Sequence, residues 1–351
     1  MIPEAWRELA LAPPRAVEGP RARATLRQSP EDFVVEERLG FQPSGAGEHV
    51  LLRVRKRAAN TAWVARALAT LAGSKPQDVG FAGLKDRHAV AVQWFTVPGR
   101  HRPAAQWAGV EGEGFEVLEA HPHARKLPRG ALAGNHFTLW LRDVVGDRGS
   151  VESRFAAAAA DGVPNAFGPQ RFGRALSNLE SLRTLPAGRV PARFVLSAAR
   201  SLVFNAVLAE RVRERTWNRL LVGERANLDG RNSVFSVKAL DDELPRRVAA
   251  LDVHPTGPLW GRGDSGVGGE LAVLEASIAA RFPEALAAIE AAGMEAARRP
   301  LRVAVRELEL DWHDGGATCR VAFALRPGAF ATAVIRECVD ADGMPQEDDD
   351  A

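Results

Sequence analysis

The spacing of hydrophobic positions changes period along this chain, and the changes outline its architecture. Phe33-Val34-Val35-Glu36-Glu37 has the character of a strand. After the turn-forming stretch Pro43-Ser44-Gly45-Ala46-Gly47, residues 49–55 resume it. A helix follows, with Asn60 or Thr61 able to cap it, an apolar stripe at Trp63, Val64, Ala67, Leu68 and Leu71, and Gly73 suited to its C′ position. Residues 79–83 predict a short strand, 90–97 a longer one, and 137–141 a third directly after Gly134-Asn135-His136. Between the first two of these, the polar turn 84–89 is suspended between apolar runs, where a strand scaffold tends to present chemistry.

Helical spacing then dominates, over 150–161, 197–215 (with Ser197 as cap), 269–281 and 283–293. Strands return at 301–305, 307–312 and 319–325, and a last helix is expected over about 331–339. Residues 1–23, rich in Pro, Ala and Arg, predict an arm or a loose first element. The whole implies an α+β protein. Residues 1–161 and 304–351 would build a mixed, mainly antiparallel sheet domain, interrupted by a mostly helical insertion over 162–303.

Composition adds little: 46% hydrophobic and 26% charged residues are ordinary for a soluble protein. No apolar run approaches the roughly 20 residues of a membrane span. Glu4, Arg7, Glu8, Pro13 and Pro14 leave no signal-peptide core. Cys319 and Cys338 have no metal or redox spacing, which favours the reducing cytoplasm. A monomer with no obligate protein partner is the expectation.

Charge distribution changes the picture more. The net charge is only +2, but Asp340, Asp342, Glu347, Asp348, Asp349 and Asp350 crowd a tail, 340–351, that is expected to be disordered. Within 51–100, Arg53, Arg55, Lys56, Arg57, Arg66, Lys75, Lys85, Arg87 and Arg100 face only Asp78 and Asp86. Such a segment suits a phosphate backbone, and equally a solvated charged face.

Lys85-Asp86-Arg87-His88 sets an acid between cations on the polar turn. Flanking cations favour an ionised carboxylate, which can attack carbon or accept a proton. A surface salt-bridge cluster would give the same four residues. His121 and His123 flank Pro122, while His88, His101 and His136 stand singly, so no metal site is expected. The glycine-rich run 262–269 is neither a dinucleotide loop nor a complete Gly-x-Ser-x-Gly elbow, and no cofactor is expected.

Six stretches in order resemble the TruD family of tRNA pseudouridine synthases. They are Ser29-Pro-Glu-Asp-Phe33 with the strand after it, Asn60-Thr61, Gly80-Phe-Ala-Gly-Leu-Lys-Asp-Arg-His, Gly134-Asn135-His136-Phe137, Gly162 to Gly173 with its Phe-Gly-Pro-Gln-Arg-Phe-Gly, and Leu325-Arg-Pro-Gly-Ala-Phe330. The resemblance spans roughly 25–340. It implies an isomerase, an intramolecular transferase that converts uridine to pseudouridine in tRNA, typically at position 13 of the D-arm, without cofactor or metal. It makes Asp86 the catalytic carboxylate and places Phe33, Asn135, Phe137 and Phe330 around a flipped uracil. Arg27 and Glu31 precede Phe33 at matching positions, and Arg27, Lys85 or Arg87 could partner the Asp86 charge. With no tyrosine in the chain, base stacking would fall to Phe33 and Phe330. Arg171, Arg174 and Arg200 are candidates for phosphate contact or for structural ion pairs. Two other classes compete: a non-catalytic RNA-binding protein, and a nucleoside or glycoside hydrolase, which would normally want a second carboxylate.

Overall fold

The computed structural model describes residues 1–186, 189–231 and 233–342. In chain order it begins with α1 (Glu4–Leu11), β1 (Arg23–Thr25), β2 (Phe33–Leu39), β3 (His49–Arg57), α2 (Thr61–Leu71) and β4 (Gly80–Phe81). Next come β5 (Val90–Pro98), β6 (Glu111–Gly112), β7 (Phe115–His123), β8 (Leu132–Val145), α3 (Arg148–Asp161) and β9 (Val163–Pro164). The more helical stretch holds α4 (Ser177–Arg183), α5 (Arg193–Arg213), β10 (Arg225–Leu228), β11 (Val234–Ser236), α6 (Glu243–Ala249) and β12 (Val253–His254). It continues through β13 (Thr256–Leu259), α7 (Gly269–Ala279), α8 (Pro283–Ala291), β14 (Ala297–Pro300) and β15 (Arg302–Val303). The chain closes with β16 (Arg306–His313), β17 (Thr318–Leu325), α9 (Ala331–Cys338) and β18 (Asp340–Asp342).

The chain divides into two compact units, with divisions between 20 and 21, inside α3, between 305 and 306, inside α9 and between 338 and 339. The sheet unit holds Arg21–Glu152, Arg306–Thr332 and the described part from Val339 on. Its strands run in the order β16-β17-β8-β2-β5-β3-β7-β6, with β1 on β8, β18 on β1 and β4 on β5. Only β2–β5 and β1–β18 are parallel among its described pairings, so the sheet is mixed and mainly antiparallel, as the pattern predicts. Asp340–Asp342, at the head of the acidic tail, form β18; the rest of the tail, 343–351, lies outside the described residues.

Period-2 alternation decides which side chains the sheet buries. On β3, Val50, Leu52 and Val54 join Phe95 and Val97 of β5 and the α2 stripe of Val64, Ala65, Leu68 and Ala69 in one core. Asn60 caps α2 by accepting from Ala62 N at 2.8 Å, an interaction worth about 1 kcal/mol. The strand predicted at 137–141 is the middle of β8, a 14-residue strand. β7 escapes a local reading because its alternation is interrupted at His121-Pro122-His123.

The second unit holds Met1–Pro20, Ser153–Val305 and Ala333–Cys338. Its centre is α5, whose 21 residues bury Leu202, Val203 and Phe204 among many others. α5 begins at Arg193, four positions before the predicted Ser197 cap, because Val195 and Leu196 extend its apolar face. The expected N-terminal arm is in fact helix α1. Trp6 is 4% exposed and meets the Phe282 ring at 5.9 Å, while Asn205 on α5 donates to Leu9 O at 2.9 Å. The predicted strand 301–305 shortens to β15, paired with β9.

Candidate active site

The turn expected to carry chemistry, 84–89, lies in the segment 82–89 that joins β4 to β5, and buried side chains grip its backbone from beneath. Gln93 donates to Gly83 O at 2.6 Å and accepts from the Thr61 hydroxyl at 3.1 Å; the same hydroxyl accepts from Lys85 N at 3.1 Å. Lys56, fully buried on β3, donates to Asp86 O and Ala59 O at 2.8 Å each and to Lys85 O at 3.3 Å. Three acceptors match the three donors of an ammonium. Burial pulls the Lys56 amine down to about 8, with the Asp86 charge pulling the other way. Gly80, where the strand enters the turn, has no room for a side chain: a Cβ there would lie 2.4 Å from Thr96 Oγ1 and 2.6 Å from Leu127 O.

Above this support the Asp86 carboxylate, 24% exposed, accepts from Arg27 Nη2 at 2.7 Å. Arg27 holds a left-handed backbone (φ +58°), uncommon for a non-glycine residue and costing on the order of 1 kcal/mol. Its guanidinium lies 3.9 Å over the Phe33 ring, and Phe33 meets Phe137 edge-on at 6.1 Å. Register places Phe33, Val35 and Glu37 of β2 on the same face as Leu139, Phe137 and Asn135 of β8. Lys85 reaches down to that face and meets Glu37 Oε1 at 2.5 Å, while Glu37 Oε2 accepts from Trp94 N at 2.8 Å. Burial pushes the Glu37 carboxyl up, opposed by the Lys85 ammonium.

Two buried polar atoms of this patch have no partner among the described residues: Arg27 Nε and Asn135 Oδ1. Buried polar atoms are nearly always satisfied, so unmet ones at a carboxylate mark where a ligand's own polar atoms belong.

Arg27, Phe33, Asp86, Asn135, Phe137 and Lys85 thus form one connected patch around the turn. Arg27 is the cation at the Asp86 carboxylate; Lys85 is spent on Glu37. Glu31 is not brought to that carboxylate but pairs with Arg57 at 2.5 Å in an exposed contact that lowers its pKa. Phe330 is half-buried in the turn between β17 and α9, five residues beyond Leu325, which pairs with Asn135. No part in holding the turn is expected from the sequence for Lys56, Thr61, Gln93 or Glu37, Thr61 being expected only as a possible cap of α2 and Lys56 only as one of a run of cations. Lys56 sits in phase with Val50, Leu52 and Val54, Glu37 with Phe33 and Val35, and Gln93 with Ala91 and Phe95, so a polar residue at an apolar phase was the available signal.

The basic stretch 51–100 changes meaning in three dimensions. Arg53 meets Glu36 and Glu119, Arg55 meets Glu116, Arg57 meets Glu31 and Lys85 meets Glu37, so acids from other strands and turns offset much of its charge. Cys319 and Cys338 are buried and not joined in a disulfide, and burial pushes the Cys319 thiol up to about 12, which does not favour thiolate chemistry there. Among the described residues no group of three or more His, Cys, Asp or Glu could hold a metal, and no helix is long and apolar enough to cross a membrane.

These features define an α+β protein of two units with a site built on one cation-held carboxylate. The chain belongs to the tRNA pseudouridine synthase D (TruD) family, whose model matches residues 15–182 and 180–338. It is 46% identical over 335 residues to the tRNA pseudouridine synthase D of Methylococcus capsulatus, covering 94% of each chain. To that of Nitrosococcus oceani it is 44% identical over 338 residues, covering 93% of this chain and 94% of the other. The fold also matches a crystal structure from Methanosarcina mazei assigned to tRNA pseudouridine synthase D, with a TM-score of 0.73 at 19% identity, over 96% of this chain and 98% of that one.

Proposed function

We propose that this protein is a tRNA pseudouridine synthase that isomerises uridine 13 of the D-arm, with Asp86 as nucleophile and no cofactor, working as a cytoplasmic monomer. The observation that carries this reading is the Asp86–Arg27 pair over Phe33, beside a buried Asn135 oxygen that no described residue satisfies. The relatives named above carry tRNA pseudouridine synthesis, without a position, in their names.

The reaction breaks the bond from ribose C1′ to uracil N1, turns the base and joins C1′ to C5, releasing the C5 proton to solvent while N1 takes one up, so that the product is an isomer of the substrate. Base and ribose stay in one site, so no second substrate is consumed. Extruding the uridine costs a few kcal/mol of unstacking. Stacking on an aromatic ring returns about 1–3 kcal/mol. Arg27 already covers one face of Phe33, which leaves Phe330 as the stacking ring and gives Phe33 the task of fixing the guanidinium. Asn135 Oδ1 can accept from uracil N3–H, and Arg27 Nε can donate to a ribose or uracil oxygen. Arg27 aims the carboxylate, while Lys56, Thr61 and Gln93 hold the turn that carries it.

The test is to incubate the protein with an unmodified tRNA transcript and map pseudouridine by carbodiimide adducts and reverse transcription. A single stop at position 13, lost when that uridine is replaced by cytidine, is expected. Modification elsewhere would overturn the assigned position. Binding without modification of any tRNA would leave a non-catalytic RNA-binding protein.

A further inference from the structure

Several buried or half-buried arginines of the second unit follow one of two patterns. Arg211 meets Glu224 at 3.3 Å and Arg298 meets Glu275 at 2.7 Å, as charges taken out of water normally must. Arg154 and Arg200 instead donate from their terminal nitrogens to two or more backbone carbonyls, Arg154 to those of Val17, Glu18 and Pro20 and Arg200 to those of Leu259 and Glu295, although the Nε of each has no partner among the described residues. Arg171 and Arg299 follow neither pattern.

Arg171 donates from Nη1 to Ser197 Oγ at 3.1 Å, and Arg299 from Nη2 to Asn165 Oδ1 at 2.6 Å. Among the described residues neither has a carboxylate partner, and Arg299 Nε is buried with no partner at all. Both guanidinium groups lie against one ring, at 5.2 and 4.3 Å from the Phe167 centroid. A guanidinium carries five N–H donors. Two of them beside one aromatic ring, each with a single neutral acceptor, set like charges together with their donors largely unspent. Burial, helped by the Arg171 charge, pulls Arg299 down to about 10, which still leaves it cationic at neutral pH.

The surroundings are built rather than loose. Asn165 is anchored by its own donation to Pro300 O at 2.8 Å. Phe167 is held by the fully buried Asn205 amide, which accepts from Phe167 N and donates to Phe167 O, both at 2.9 Å. Just beyond Arg171, Ala175 and Leu176 hold left-handed backbones (φ +52° and +64°).

We propose that Arg171 and Arg299, framed by Phe167 and Asn165, form an anion site that takes a backbone phosphate of the RNA substrate. This deepens the function proposed above and rests on it for the identity of the RNA, though not for the existence of the site. The planar arginine fork matches two oxygens of a phosphodiester, and a singly charged diester suits a pocket that supplies donors without an acid. Inorganic phosphate shares that chemistry, so the test must separate the two sources.

The full chain serves as wild type, Arg171→Gln, Arg299→Gln and the double variant. The dissociation constant for unmodified tRNA is measured across a salt series, and multiple-turnover isomerisation is measured beside it. Removing one protein–phosphate interaction flattens the log–log salt slope by roughly 0.7–0.9. The double variant is expected to flatten it by about that amount, raise KM about tenfold near physiological salt, and leave kcat at saturating RNA within about twofold. Because Arg299 packs on Phe167 and its loss could unfold the unit, Arg171→Gln, with Ser197 as its one hydrogen-bond partner, carries the test alone if needed. An unchanged slope in a folded Arg171→Gln would overturn the proposal. So would an unchanged slope accompanied by a thermal shift with inorganic phosphate, which would make this a free-phosphate site. If slopes flatten but the wild type isomerises no RNA, the anion site stands and the proposed reaction falls.

Discussion

The cations of the sheet unit and those around Phe167 in the second unit are spent in opposite ways. In the sheet unit, Arg27, Arg53, Arg55, Arg57 and Lys85 each close on a carboxylate, and Lys56 is exhausted by three carbonyls. Around Phe167, Arg171 and Arg299 are left with donors in hand. A paired cation holds something in place; an unpaired one waits for an anion. Counting positive residues along the chain cannot separate the two, and four of the nine cations in the richest basic stretch, Arg53, Arg55, Arg57 and Lys85, prove to be offset by acids from outside it.

The comparison breaks most visibly at Arg27. Replacing it with Met leaves Asp86 without its cation, and kcat should fall by about 10²–10³ while RNA affinity changes little. Arg27→Lys should recover part of the rate. Tritium release from uridine-C5-labelled tRNA at saturating RNA measures both, and a kcat within threefold of wild type for Arg27→Met would deny the pair its role.

Lys56→Met comes next. It leaves the carbonyls of Ala59, Lys85 and Asp86 without a donor, and a turn displaced by even an ångström should cost about 10–100-fold in kcat. A pH profile sharpens this. The folded-state amine titrates near 8 and the unfolded one near 10.5, so between those values the unfolded chain binds the extra proton. The Lys56 contribution to stability therefore rises with pH across that window. Activity should move the other way, falling above about pH 8 as the turn loses its pin, with Asp86, Lys85 and Glu37 as the charges around the amine. Rates and melting temperatures that fall together, or a Lys56→Met variant retaining the alkaline limb, would contradict this.

The smallest effects belong to the exposed pairs. Arg55→Gln and Arg57→Gln remove partners of Glu116 and Glu31 in solvent-screened pairs and should leave the melting temperature almost unchanged. They should also shift the tRNA dissociation constant by no more than about twofold, well below the effect of Arg171→Gln. A tenfold loss in either would return the stretch 51–100 to the RNA-binding surface.

Much of the fold could be read locally because strands and helices announce themselves through short-range period. The α2 stripe and its Asn60 cap are where spacing places them, and β17 follows the predicted run to its last residue. Helix α1 was missed although Trp6 and Ala10, one turn apart, mark its buried face. At the site, the Asp86 turn was visible from polarity alone, and Arg27, 59 positions away in sequence, came only through family resemblance. The supports Lys56, Glu37 and Gln93 were legible in principle, as polar residues in phase with buried apolar ones. What local sequence hides is partnership. Glu116 and Glu119 lie 61 and 66 positions from the arginines they offset, and Arg171 and Arg299 come together only through Phe167.

The proposed isomerisation depends most on Asp86 as the reacting carboxylate. The direct measurement is tritium release from uridine-C5-labelled tRNA by Asp86→Asn beside the wild type, with the dissociation constant of each measured on the same RNA. Stoichiometric release by the wild type, none by the variant and affinities within about threefold are the predicted result. Release by Asp86→Asn at a rate near wild type would contradict it.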